Sequence, residues 1–184
     1  LTGKGLGGGI YMREGTVTVE GCSDVSGNEA GIGGGAYLIT STLTLHSNCS
    51  EIMDNTATGN GGGVYAQGST VNLDEDASLY NNSAGSSGAG SGGGAYLDDS
   101  RLFGDKITLV SNSADDHGGG IYAVNGSTVD MDLGDYPCLG GRCSMLYDNA
   151  ATNGYGGGIY ANGSTVNLDN TFVEYNSADL GGGL

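Results

Sequence analysis

A run of three glycines followed by an apolar residue begins at Gly7, Gly33, Gly61, Gly92, Gly118, Gly156 and Gly181. The first six copies continue into a tyrosine: Tyr11, Tyr37, Tyr65, Tyr96, Tyr122 and Tyr160. Successive triplets are 26, 28, 31, 26, 38 and 25 residues apart. Spacing of this kind marks a stacked repeat, in which each copy buries its apolar face only against its neighbours. Few residues of such a chain are unique, so function belongs to a surface that repeats.

Each copy carries a second anchor of the form apolar-x-x-Asn-x-Ala. The six instances are Val25-Asn28-Ala30, Ile52-Asn55-Ala57, Leu79-Asn82-Ala84, Leu109-Asn112-Ala114, Leu146-Asn149-Ala151 and Val173-Asn176-Ala178. Between the two anchors lies an alternating stretch, clearest as Ser-Thr-Val-Asn-Leu at 69–73 and 164–168. Alternation of this kind reads as a half-buried strand, and Val17/Val19, Leu43/Leu45 and Val71/Leu73 repeat it. No segment shows a helical period, and glycine at 39 residues penalises helices.

About three short strands per repeat, stacked in register, predict an all-β fold: a parallel β-helix of about six turns, right-handed by the crossover rule. Turns spaced by about 4.8 Å would make a column of roughly 29 Å. Residues flanking each tyrosine point inward by alternation and the tyrosines outward. Core volumes compensate, as in Ala36/Leu38 against Val64/Ala66. Asn28, Asn55, Asn82, Asn112, Asn149 and Asn176 are expected to stack as an inward amide ladder, and Asn suits the left-handed backbone of a tight corner. The repeat runs end to end, so residues 1–184 read as one solenoid segment and as an excerpt of a longer chain.

The composition narrows the partners. Twenty-one acidic and five basic residues give a formal charge of −16, which disfavours nucleic acid and anionic lipid surfaces. No run reaches membrane-spanning length, so no membrane insertion is expected in this segment.

The linked Gly-Gly-Gly-(Ile/Ala/Val)-Tyr and apolar-x-x-Asn-x-Ala motifs resemble the repeats of the chlamydial polymorphic outer membrane proteins. Those repeats pair a Gly-Gly-Ala-Ile-like motif with Phe-x-x-Asn. Here the apolar residue three before Asn is never Phe, and a third glycine precedes the aliphatic residue. The resemblance spans essentially the whole chain. It implies a β-helical passenger displayed at the cell surface and used in adhesion, with glycans or cell-surface proteins as partners.

Three sets of residues could carry chemistry. The tyrosine column is either a ligand-stacking strip or a self-stacking ladder, and an identical residue in every turn favours the ladder. An acidic column of Glu20, His46, Asp74, Asp105, Asp132 and Asp169, with Asp130 beside it, would be screened by water or bridged by Ca²⁺ through Asp74, Asp105, Asp130, Asp132 and Asp169. No calcium-loop nonapeptide is present. Catalysis of the pectin-lyase type is the alternative reading, but it needs differentiated carboxylates or a base with a cationic partner. These acids are interchangeable copies, and His46 and His117 have no companion spacing. The Asn-x-Ser sequons at Asn48, Asn81, Asn125 and Asn162 are permissive only. The insertions 86–91 and 132–143 are the natural places for a binding loop, and the first reads better as tolerated drift.

Cys22, Cys49 and Cys143 each lie six residues before the ladder Asn of their turn. Adjacent turns bring Cys22 and Cys49 within disulfide reach, whereas Cys143 is about 14 Å from Cys49. Cys143 instead has Cys138 across a short loop. Bridges Cys22–Cys49 and Cys138–Cys143 are therefore expected, which suggests an oxidising compartment. The sequence thus reads as a non-catalytic extracellular shaft or adhesive segment, with end-to-end stacking into filaments as a further alternative.

Overall fold

The computed structural model describes residues 5–46, 49–74, 76–86, 88–131 and 143–184. The chain winds as a β-solenoid in which every strand pairs in parallel with its copy one turn away. The sheets number four, each of six strands, so a turn contributes four strands rather than three.

The first sheet contains the tyrosine strands, from Ile10–Arg13 to Ile159–Asn162, and the second runs from Thr16–Glu20 to Thr165–Leu168. The third runs from Val25–Ser26 to Thr171–Glu174 and includes Glu51–Met53, Ser78–Tyr80 and Thr108–Val110. The fourth, absent from the sequence reading, starts at the x-Ala pair after each ladder Asn; four of its strands are that pair alone, as in Glu29–Ala30 and Ser83–Ala84, and the last two extend over Ala150–Tyr155 and Ser177–Leu180. Two residues are too few for alternation to register as a strand. Their pairing comes from the stacking of turns and not from local propensity.

Strict alternation fills the interior. Leu38, Val64, Leu97 and Ile121 from the first sheet meet Leu43, Leu45, Leu73 and Val129 from the second and Ile52, Leu79 and Leu109 from the third, all fully buried.

The six asparagines form the expected inward ladder. Nδ2 of each donates to Oδ1 of the next, at 2.9, 3.1, 3.0, 3.0 and 2.9 Å from Asn28 to Asn176. That same Oδ1 also accepts the backbone N–H of the preceding turn's asparagine, at 2.9–3.1 Å. The second hydrogen of Nδ2 goes backwards, for example from Asn112 to the Leu79 carbonyl at 2.9 Å. Each inner amide therefore uses both donors and both lone pairs, which is what makes a fully buried carboxamide tolerable.

One corner differs from expectation. The left-handed residue is not the asparagine but the one before it: Gly27, Asp54, Asn81, Ser111, Asp148 and Tyr175, with φ between 52° and 66°. This reversal just upstream is what throws the asparagine side chain inward.

The glycine triplets are shaped by the ladder. The first glycine of each takes a left-handed φ of 63–70°. A Cβ on the second would strike the backbone of the fourth sheet in the same turn, such as the Ser83 carbonyl carbon from Gly62 at 2.5 Å. A Cβ on the third would press on the ladder amide, as Gly63 would on Asn82 Cγ at 3.0 Å. The two sequence motifs are thus two sides of one contact across a pinched coil.

A smaller ladder stands between the first and second sheets. The N–H groups of Gly15, Ser41, Ser69 and Ser100 donate to Oγ of Ser41, Ser69, Ser100 and Ser127 at 3.0–3.3 Å. The adjoining corner is again left-handed, at Glu14, Thr40, Gly68, Asp99, Asn125 and Gly163.

Two stability outcomes are expected. Asn112→Ala leaves the Asn82 N–H and Nδ2 without their acceptor and takes one of two donors from Asn149 Oδ1, so it should cost about 2–4 kcal/mol, whereas Asn28→Ala at the first rung should cost less. Chemical denaturation reads both. Thr40 is an exposed β-branched residue at φ 48°, so Thr40→Gly should stabilise the chain by about 1 kcal/mol in the same assay.

Candidate functional site

The tyrosines pair residue to residue along the first sheet, Tyr11 with Tyr37, then Tyr65, Tyr96, Tyr122 and Tyr160. Each ring stacks on the next, with centroids 5.6, 5.0, 4.9, 4.8 and 5.2 Å apart and planes within 20° of parallel. Alternation sends them outward, as the sequence predicts, but stacking covers them. Tyr11 is 50% exposed at the first rung and Tyr37 only 9%. The ring faces are occupied by neighbouring rings, and only edges and hydroxyls are left for a partner. Each stacked pair contributes about 0.5–1.5 kcal/mol beyond its buried area.

The strip has distinct ends. Arg13 hydrogen-bonds Tyr11. At the far end His117 stacks on Tyr160 at 4.8 Å and lies 4.9 Å from Tyr155, while its Nδ1 accepts the Tyr155 N–H at 3.1 Å. Sequence reasoning treated His117 as solitary and passed over Tyr155. The available signal was position: both immediately precede a glycine triplet, so both flank the tyrosine column.

Packing alters the phenols. Burial, with the neighbouring phenols Tyr122 and Tyr65 and the Asp98 carboxylate, pushes Tyr96 up to about 12. Tyr65 and Tyr122 are also raised, first by burial and then by Asp98 for Tyr65 and by Tyr160 for Tyr122.

The acidic column is not continuous. Glu20, His46 and Asp74 share one register. In the next turn the strand Arg101–Phe103 ends before Asp105, because Gly104 packs against the Leu73 backbone where no side chain fits. Asp105 pairs with Lys106 at 3.2 Å. Asp130 faces Phe103 and Asn167 one column away and meets Arg101 at 3.6 Å. Asp74 accepts from Asn72 Nδ2 at 2.7 Å and lies 3.9 Å from His46. Asp169 follows the last strand of the second sheet, and Asp132 lies outside the described residues. Among the described residues no three His, Cys, Asp or Glu converge on a metal position.

Cys22 and Cys49 form the expected bridge, with Cα atoms 4.6 Å apart. Cys143 is disulfide-bonded, and Cys138 lies outside the described residues. So does Asn48 among the sequons, while the amides of Asn81 and Asn125 are engaged by Asp54 and Asp98 at 2.5 and 2.6 Å. Among the described residues no helix is long and apolar enough to cross a membrane.

The Chlamydia polymorphic membrane protein repeat matches residues 50–67. This stretch holds Ile52, the ladder Asn55, Ala57, the triplet at Gly61 and the strand of Tyr65, one copy of each motif, whose partners across the coil are Gly35 for Asn55 and Asn82 for Gly63. The match bears out the resemblance read from the two linked motifs. No curated protein and no solved structure matches the chain.

The raised phenols set an alkaline limit. Their neutral forms are favoured by folding, so this stabilisation is complete below about pH 10 and is lost as pH rises through about 12. Absorbance titration at 295 nm should show a late-ionising class of tyrosines, and alkaline unfolding should coincide with it.

Proposed function

We propose that this chain is a non-catalytic, right-handed β-solenoid segment of a cell-surface adhesin or fibre, serving as a rigid shaft with an adhesive face. The observation that carries this reading is the tyrosine strip, six copies of one side chain held in one register on a stiff column. The repeat matched at residues 50–67 supports placement at a cell surface or membrane. The Cys22–Cys49 bridge suggests a location outside the cytoplasm, where disulfides persist. The carboxylates support a non-catalytic role, since Asp74, Asp105 and Asp130 each keep a separate local partner and do not form an acid–base couple.

The partners of this reading are glycans or cell-surface proteins, met by the phenol edges and hydroxyls. The test uses purified chain applied to cultured animal cells and to a glycan array. Saturable attachment is the expected result. Replacing Tyr65, Tyr96 and Tyr122 together by Phe keeps the stack and removes three hydroxyls, so thermal unfolding should hold while attachment falls about five- to tenfold. A chain that attaches to neither surface overturns the adhesive reading. Attachment unchanged in the triple variant removes the strip from the contact.

A further inference from the structure

The outer face of the third sheet is unlike the other outer faces. Alternation around the buried Ile52, Leu79 and Leu109 turns Glu51, Ser78 and Thr108 outward in one register and Met53, Tyr80 and Val110 in another. Together with Asp76, on the approach to Ser78, these residues line a groove of about 460 Å³. That volume falls within the range of built small-ligand and side-chain sites, about 300–1,000 Å³.

Two polar features of the groove are unmatched. Ser78 is only 8% exposed although its strand phase points it outward, and its Oγ is buried with no hydrogen-bond partner among the described residues. Buried hydroxyls are paired in the great majority of cases, so an orphan lining a groove marks a position where a donor or acceptor is missing. Glu51 makes no ion pair among the described residues, and no basic side chain lines the groove. The floor between these groups is apolar, formed by Met53, Val110 and the 41%-exposed Tyr80.

We infer that this groove is a docking site for a basic segment of a partner protein, one that inserts a lysine or arginine side chain. The cationic head lies between Glu51 and Asp76, and the aliphatic stem covers Met53, Tyr80 and Val110. A backbone N–H of the same segment donates to Ser78 Oγ once the groove side chains part. Charge complementarity selects this occupant: the chain carries −16, the two charged side chains of the groove, Glu51 and Asp76, are carboxylates, and a long basic side chain combines a cation with an apolar stem. The surface is separate from the tyrosine strip, and the test below needs no cell attachment.

The probe is a decapeptide of alternating lysine and valine, titrated into isotope-labelled full chain and followed by backbone amide shifts. Saturable shifts confined to residues 51–53, 76–80 and 108–110 are expected. Glu51→Gln should weaken binding about tenfold, the value of one charge-assisted contact, and Asp76→Asn should act in the same direction with the left-handed corner kept. Tyr80→Ala supplies a second, uncharged variant, and the dispersion of each spectrum shows that the fold persists. A lysine–serine decapeptide should bind more weakly, and a glutamate–valine decapeptide not at all. Shifts spread over the whole acidic surface, equal binding of the lysine–serine peptide, or indifference to Glu51→Gln would overturn the site. So would a chitooligosaccharide moving these amides while the peptide does not, or concentration-dependent self-association through this face.

Discussion

A buried carboxamide with all four of its hydrogen-bonding positions used is the constraint on which the rest of the column hangs. The ladder at Asn55, Asn82, Asn112 and Asn149 fixes the rise between turns, because an Nδ2–Oδ1 contact of about 3 Å on every rung admits only one spacing. It also fixes the facing residue. The amide fills the space where the third glycine passes, and the x-Ala backbone fills the space opposite the second. Alanine at either glycine would push on backbone or on a locked amide, with no flexible side chain to absorb the strain. The extravagance of glycine in this chain is therefore the other half of the ladder.

The same stacking decides what the outside can offer. Wherever one residue type recurs at the strand spacing it bonds first to its own copies: asparagine to asparagine, serine to the N–H above it, phenol to phenol. A repeated column is thereby stiff and self-satisfied, and its binding capacity resides at its edges. Distinctive chemistry appears where repetition breaks. Glu51, Ser78 and Thr108 share a register without sharing a chemistry, and a groove forms over them. His117 and Tyr155 are the two aromatic residues among those before the triplets, and an aromatic cluster results.

Most of the frame was legible in the sequence, because invariant spacing translates directly into register. The outward tyrosines, the inward asparagines and the Cys22–Cys49 bridge all follow from counting residues between anchors. The fourth sheet was not legible, since Ser83–Ala84 and three of its copies are only two residues long, too short to show a period. The serine ladder had a visible sign in the Ser-Thr pairs at 41–42, 69–70 and 127–128, yet serine before a strand reads equally well as a turn. The acidic column holds through Glu20, His46 and Asp74 and is interrupted at Asp105 for a geometric reason: equal distance from a strand means equal position only while the strand lasts, and the strand Arg101–Phe103 ends early. Glu51 and Asp76, which flank the groove, carried no sequence signal, because their proximity arises between turns.

The rungs differ in length, with ladder asparagines 27, 27, 30, 37 and 27 residues apart, yet every sheet keeps its pairing through the longest of them. After each of them the next rung returns in phase. In evolutionary terms the rung behaves as a unit of inheritance. A duplicated or deleted copy meets compatible neighbours on both sides, and a lengthened loop is a private change to one floor of the building. A lineage can therefore vary the height and ornament of such a column by recombination between its own repeats, without passing through an unfolded intermediate sequence.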